Sequence, residues 1–433
     1  MPAFGAFHTR SYLIISESIR MSIVVINYER FHSFGCRVDA HPCLTLIICR
    51  GMLAPKSGQG DMAMRRVMPL LRQRGCAVMF AAALAGGTAA LAGGTAVPVG
   101  GAAVAGEGAV QNLRSYIPPT ISPQARAIYE KLLPIAAAHR AKEKIPHTLA
   151  EFDARHDADI ARTVPAALAA AKAGNVAVRE LTLAGVNVVE ATPPHYRDDH
   201  TLLLHVHGGG FVLGSAKSSL GADVLMALAT DKRVISIDYT VAPRGNWRTV
   251  TDQVVAVYQA VLAQGYSARS IGLFGDSAGG NIVAASVFKL RDRGLPLPGA
   301  LVLLSPCVDF HLNGDTETTL READPVLDFA LNQAFLATYA APDQWNNPYV
   351  SPIHGDFSKG YPPVLIQAGT KELLLSDAVR LYQAVKIAGG TAELDVYEGM
   401  AHVFQAYMTG TPEQAAAYAE ANRWWSSHLK PSI

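Results

Sequence analysis

The chain is short of charge and of cysteine. Only 17% of its 433 residues are Asp, Glu, Lys or Arg, and the formal net charge is +1. Neither sign dominates, so the charge gives no case for nucleic acid as a partner. Of the five cysteines, Cys36, Cys43 and Cys49 lie close together near the start, at spacings that match no zinc motif. Neither internal repeat nor low-complexity tract follows Ala105. What the chain has in quantity is apolar side chains: 50% of it is hydrophobic, enough for a large core in a compact globular protein.

One stretch carries no charge at all. Cys76 to Ala105 is rich in Ala and Gly and ends in Ala103-Val104-Ala105, a small-x-small signal. It follows a basic run, Met64 to Arg74, in the layout of a secretory signal peptide. The run 76–105 is also long enough for a membrane anchor. Ala, Gly and Thr are only weakly apolar, however, so cleavage is the expectation. Arg65-Arg66 fits a twin-arginine signal on a thin consensus. Residues 1–63 then read as an upstream extension without assigned structure, with translation starting at Met62 or Met64. Residues 64–105 are the signal, and the mature protein is periplasmic or secreted, with no stable membrane insertion. Cleavage after Ala105 leaves Cys307 as the one thiol, which rules out a disulfide within a mature chain.

Two helical stretches come next, Ser122 to Lys144 and Thr148 to Ala173, rich in Ala, Leu and charge, with a kink expected at Pro165. They precede every strand of the following pattern, so they are not crossover helices. Residues 106–175 read as a helical cap or as plain packing on a sheet edge. From Val176 the pattern alternates. An antiparallel pair, Val176 to Leu183 and Val186 to Glu190, is followed by strands at 202–206, 233–238, 271–274, 300–304, 364–368 and 393–397. Helices at 220–229, 250–262, 278–290, 376–388 and 412–429 separate them. That rhythm predicts an α/β fold over 176–433, a mostly parallel sheet covered by helices on both faces. Asp309 to Ala341 is long for a crossover and is a candidate second part of the cap.

The chemistry is densest at Gly275-Asp276-Ser277-Ala278-Gly279. The apolar run before it reads as a strand. Asn281 to Leu290 reads as a helix with one buried and one exposed face. A serine at such a turn is pushed out at the tip of the sheet, and glycines two residues to either side avoid a Cβ collision. Ser277 is therefore a candidate nucleophile rather than a turn serine. Upstream, the strand Thr201 to Val206 runs into His207-Gly208-Gly209-Gly210-Phe211. Bare backbone N–H groups on such a glycine loop suit the negative oxygen of a tetrahedral intermediate, each worth about 3 kcal/mol. The blander reading is a flexible loop. His205 and His207 form an H-x-H pair, but no carboxylate or further histidine at ligand spacing supports a metal. Downstream, His402 follows the last strand, placed for a general base. The strand at 364–368 leads to Glu372 and then Asp377, either of which could orient that histidine.

These motifs, with Asp238-Tyr239, Ala242-Pro243, Ser305-Pro306, Ser351-Pro352 and Gly399-Met400-Ala401-His402, resemble the hormone-sensitive-lipase-like branch of the α/β-hydrolases over roughly residues 110–430. The resemblance implies the α/β-hydrolase fold with an N-terminal helical cap, and hydrolysis of a small-molecule carboxylic ester by a Ser–acid–His triad without metal or cofactor. Carried over by position, Ser277 is the nucleophile, His402 the base and Glu372 the acid, where the branch has Asp-Pro-Leu and this chain has Glu372-Leu373-Leu374. Asp377 then serves the N-terminus of the next helix. The amides of Gly208, Gly209 and Ala278 form the oxyanion hole, supported by His207, Gly210, Gly275, Asp276 and Gly279. Arg244 stands where the branch has glutamate, and Gly245-Asn246-Trp247-Arg248 replaces its His-Pro-Phe-Pro.

The reading is a serine carboxylesterase for short to medium acyl chains. One triad also serves amidases, peptidases and acyltransferases. A receptor built on a dead hydrolase would have lost the base, and His402 is present.

Overall fold

The computed structural model describes residues 113–431 and, ahead of them, the backbone of four short strands. Those are β1 (Tyr12–Ile15), β2 (Met21–Val24), β3 (Arg37–Ala40) and β4 (Thr45–Ile48). They form one sheet in the order β2-β1-β4-β3. The sequence pattern assigns no structure there, yet runs such as Leu13-Ile14-Ile15 and Leu46-Ile47-Ile48 suit a pleated surface. The export signal read at 64–105 lies outside the described residues.

The second unit, from Val104 onward, is built on an eight-stranded sheet. Its strands are β5 (Ala177–Leu183), β6 (Val186–Thr192), β7 (Leu202–Val206), β8 (Val234–Ile237), β9 (Ile271–Asp276), β10 (Ala300–Leu304), β11 (Val364–Gly369) and β12 (Ala392–Tyr397). The order is β12-β11-β10-β9-β7-β8-β6-β5. β6 runs antiparallel to both β5 and β8, and every other pair is parallel. This is the α/β-hydrolase fold. β7, β8, β10 and β11 are buried along their whole length, because helices cover both faces.

The helices are α1 (Pro123–Arg140), α2 (Leu149–Ala173), α3 (Leu220–Thr230), α4 (Trp247–Ala263), α5 (Ala278–Asp292), α6 (Asp315–Thr319), α7 (Phe329–Tyr339), α8 (Leu375–Ile387) and α9 (Pro412–His428). Ser122 caps α1 with Pro123 in its first turn, and Thr148 and Glu151 form a capping box on α2. Pro165 lies inside α2, which runs on through it to Ala173. Nor does α5 keep an exposed face: Ala278 to Leu290 are buried throughout. α5 lies between the sheet and α4, and even Lys289 is enclosed, its Nζ 2.7 Å from Asp252 and donating to Thr251 Oγ1 at 2.9 Å.

Three packed clusters divide the core. One fills the sheet face under α4, α5 and α8; a second sets Trp424 and Trp425 of α9 against Leu203 and Phe274 on the other face. The third joins Tyr129 and Leu133 of α1 to Met400, Ala401 and Phe404, around the loop that carries His402. Arg140 of α1 also donates to the carbonyls of Pro325 and Leu327, so the segment between β10 and β11 is tied to the N-terminal helices. Among the described residues no helix is long and apolar enough to cross a membrane.

Candidate active site

β9 ends at Asp276 and α5 begins at Ala278, so Ser277 makes the turn alone. Its φ and ψ are 54° and −119°, a conformation that costs a residue with a Cβ about 1–3 kcal/mol. The surroundings hold it there: the Ser277 N–H donates to Leu304 O at 2.8 Å, and Cys307 N–H donates to Ser277 O at 3.3 Å. A Cβ on Gly279 would lie 1.9 Å from Val206 O, and one on Gly275 would lie 2.5 Å from the Gly279 backbone. Only glycine lets strand, turn and helix close to this distance.

Three side chains from three loops meet at this turn. Ser277 Oγ lies 2.9 Å from His402 Nε2, and His402 Nδ1 lies 2.9 Å from Glu372 Oε2. Glu372 is fully buried and His402 nearly so, while Ser277 is partly exposed. The other carboxylate oxygen, Glu372 Oε1, accepts from Gly369 N–H at 2.7 Å and from Ser305 Oγ–H at 3.1 Å. Both oxygens of this buried charge are therefore satisfied. Burial works against a charged His402, but the hydrogen bond and negative charge of Glu372 outweigh it and the pKa is raised. With Nδ1–H donated to Glu372, the neutral ring presents a lone pair at Nε2 toward Ser277. The arrangement can take a proton from a hydroxyl and hold the cation that results.

Asp377 sits elsewhere. It lies in the first turn of α8, but its Oδ2 accepts from the amides of Val308 and Asp309, at 2.6 and 3.1 Å. Serving the helix N-terminus is thus not its main contact, since the loop after β10 packs against this end of α8. Burial pushes the Asp377 carboxyl well up, and the facing Glu317, raised too, adds to it.

The glycine loop follows β7. Gly208 touches the elbow: a Cβ there would fall 2.2 Å from Asp276 Oδ2. Among the described residues neither Gly209 N–H nor Ala278 N–H donates to a protein acceptor, while Gly208 N–H is directed at the Asp276 carboxylate. Gly210 abuts the Phe335 ring of α7. His207 is buried and stacks on Tyr239 with centroids 4.1 Å apart, and the Tyr239 hydroxyl donates to His207 O. Burial pushes His207 down to about 4. It is neutral, with its Nδ1–H directed at Gly208 O, 2.8 Å away.

The H-x-H pair does not converge on one point. His205 is flanked by Asp223 and Asp276. A different group, Asp309, His311 and His354, brings ligand atoms within 4.8 Å of one another. Arg380 already holds Asp309 Oδ2 at 2.8 Å, however, and its charge opposes a metal cation there.

Several residues to which the sequence reading gave no role support the site. Ser305 bridges the triad, donating to Glu372 and accepting from Val403 N–H at 3.0 Å; the Ser305-Pro306 dipeptide was its signal. Buried Asp324 accepts from Leu373 N–H at 2.8 Å and so fixes the residue after Glu372. Asn281 donates from Nδ2 to Cys307 O and Val350 O. Arg244 pairs with Asp153 of α2, and Asn246 caps α4, so the departures after Pro243 form a local unit of their own.

A sequence profile described as alpha/beta hydrolase fold matches residues 203–406. The chain is 33% identical over 246 residues to an "Esterase" of Acinetobacter venetianus, covering 57% of this chain and 80% of that one. It is 35% identical over 217 residues to an "Acetyl-hydrolase" of Streptomyces hygroscopicus, covering 50% and 72%. Among solved structures, esterase E25 superposes with TM-score 0.66 at 32% identity, over 72% of this chain and 96% of that one. An esterase from the bacterial hormone-sensitive lipase family does so with TM-score 0.63 at 30% identity, over 71% and 99%.

Proposed function

The chain belongs to the hormone-sensitive-lipase-like branch of the α/β-hydrolases and is a carboxylic ester hydrolase, and we propose that it works through an acyl-enzyme on Ser277. The observation that carries this reading is the unbroken hydrogen-bonded line from Ser277 through His402 to Glu372. Ser277 Oγ attacks the ester carbonyl as its proton passes to His402 Nε2. The carbonyl oxygen takes up the negative charge and accepts from the amides of Gly208, Gly209 and Ala278. His402 then gives the proton to the departing alcohol. Water, deprotonated by the same nitrogen, adds to the acyl carbon, and His402 returns that proton to Ser277 Oγ as the acyl–oxygen bond breaks and the acid leaves.

The reading extends to short and medium acyl chains, acetyl to octanoyl. Rings of Phe211, Phe310 and Tyr339 are packed together and buried beside the glycine loop. An apolar cavity of about 430 Å³ between α1 and Pro325–Leu331 includes Tyr129 and Tyr407, neighbours of the His402 loop. We also propose export by the segment 64–105, on its charge pattern.

The deciding experiment is organophosphate trapping with Ser277→Ala beside it. The reagent should add mass at Ser277 only, and folded Ser277→Ala should lose at least about 10⁴-fold in ester turnover. Wild-type turnover in the folded variant would sink the assignment.

A further inference from the structure

His205 has no part in the steps above, yet it is among the most constrained side chains near the elbow. It stands on central β7, level with Phe274 of β9 and Ser236 of β8. Its ring is 1% exposed and stacks on Phe274, with centroids 4.3 Å apart and planes 8° from parallel. Nδ1 lies 2.6 Å from Asp223 Oδ1 and Nε2 lies 3.1 Å from Asp276 Oδ1. Asp223 comes from α3 and is fully buried.

Both ring nitrogens thus face carboxylate oxygens. A neutral imidazole has one N–H and one lone pair, so it would set a lone pair against one of the carboxylates. Ser236 Oγ also lies 3.3 Å from Nδ1, but Asp223 at 2.6 Å is the nearer group, and a ring protonated on both nitrogens satisfies both carboxylates. The electrostatics of His205 and Asp276 favour a charged ring, while burial raises the Asp223 carboxyl against the pull of His205. Burial alone would lower His205, but Asp223 and Asp276 outweigh it and hold it up at about 9. Asp276 stays below the usual carboxylate range, in spite of burial, through its bond to His205. Neutral His207, Tyr239, His402 and Tyr418 on α9 also sense Asp276.

Asp276 is the link to the chemistry. It directly precedes Ser277, and its Oδ2 and backbone oxygen are what a Cβ on Gly208 would meet, at 2.2 and 2.9 Å. One carboxylate thus touches His205 with one oxygen and the glycine loop with the other. We propose that His205 is a positioning residue: a buried imidazolium clamp between Asp223 and Asp276 that sets the elbow and the glycine loop in register for the tetrahedral intermediate. The inference rests on the esterase reading of Ser277. The ordinary alternative is a core histidine that contributes only to stability. A misplacement of the oxyanion donors by about 1 Å can cost about 10²-fold in rate, so a clamp of this kind acts on turnover before it acts on substrate binding.

The test has two arms. In the first, nitrogen-15 histidine-labelled wild-type protein is titrated by NMR. The His205 ring should keep both nitrogens protonated at neutral pH, while His207 should show one. A neutral His205 ring there overturns the proposal without any variant having to fold. In the second, His205→Gln and the double variant His205→Gln/Asp276→Asn are compared with wild type on p-nitrophenyl butyrate, alongside thermal unfolding. The Gln variant should lose about 10²-fold in kcat with little change in KM. The double variant should lose little more than the single one, because both act through Asp276. Wild-type kcat in folded His205→Gln, or a loss that follows the unfolding temperature alone, overturns the clamp. Failure of the esterase reading looks different: Ser277→Ala would keep its activity whatever stands at 205.

Discussion

Glu372 Oε2 lies 2.9 Å from His402 Nδ1, and both groups are buried where solvent cannot substitute for either. The carboxylate fixes which nitrogen of His402 carries the proton and raises the pKa of the ring that must receive another. The consequences for turnover and for pH follow from that pair.

Glu372→Gln keeps the shape and removes the charge. Turnover should fall by up to about 10⁴-fold with the fold retained. The pH profile should move as well. Only neutral His402 accepts the Ser277 proton, so kcat/KM should rise with pH, with a midpoint above the ordinary histidine value of about 6.5. The stabilising effect of the pair runs the other way: it is complete below the unfolded histidine value and lost as pH climbs through the folded one. In Glu372→Gln the acid limb should shift down. A limb that stays in place in pH–rate profiles of the two proteins would contradict the pairing.

Asp377 should report on stability instead. It shares a buried site with Glu317, and the carboxyls of both are raised. The folded state therefore keeps a proton that the unfolded chain releases, and stability should fall as pH rises above the unfolded carboxylate range. Asp377→Asn supplies a permanent N–H in place of that proton and still accepts from Val308 or Asp309. It should leave turnover near wild type and flatten the pH dependence of the unfolding temperature. Asp377→Ala strands two buried amides, at about 1–3 kcal/mol each. If Asp377→Asn lost turnover and Glu372→Gln only stability, the acid would be Asp377.

Gly208→Ala tests the glycine loop. The new Cβ would meet Asp276 Oδ2 at 2.2 Å, so loop or carboxylate must move. Loss of about 10²–10³-fold in kcat is expected, as for removal of one oxyanion donor. Full kcat in a folded variant would remove Gly208 from the oxyanion hole.

A series of p-nitrophenyl esters from acetate to palmitate, run beside emulsified triglyceride, tests the acyl preference. Turnover should peak at or below octanoate. Faster cleavage of long-chain triglyceride than of butyrate esters would count against the reading.

The strands and the elbow were legible in the residues because both are set by short-range sterics. Apolar runs of strand length, turns between them and glycines on both sides of Ser277 leave the backbone few alternatives. The order of Ser277, Glu372 and His402 along the chain could be read in the same way, each at or just past the end of a strand. What tertiary structure decided is who meets whom. His205 read as half of a possible metal pair, and faces two carboxylates because α3 packs Asp223 against β7 and Asp276 ends the neighbouring strand. Asp377 fitted a helix N-terminus, until the loop after β10 packed against it and offered two amides. α5 carries an amphipathic spacing, and is buried all round because the sheet, α4 and the flanking loops enclose it. Spacing fixes the direction of a side chain from its own element; the partner it finds depends on how distant elements pack, and no local pattern records that.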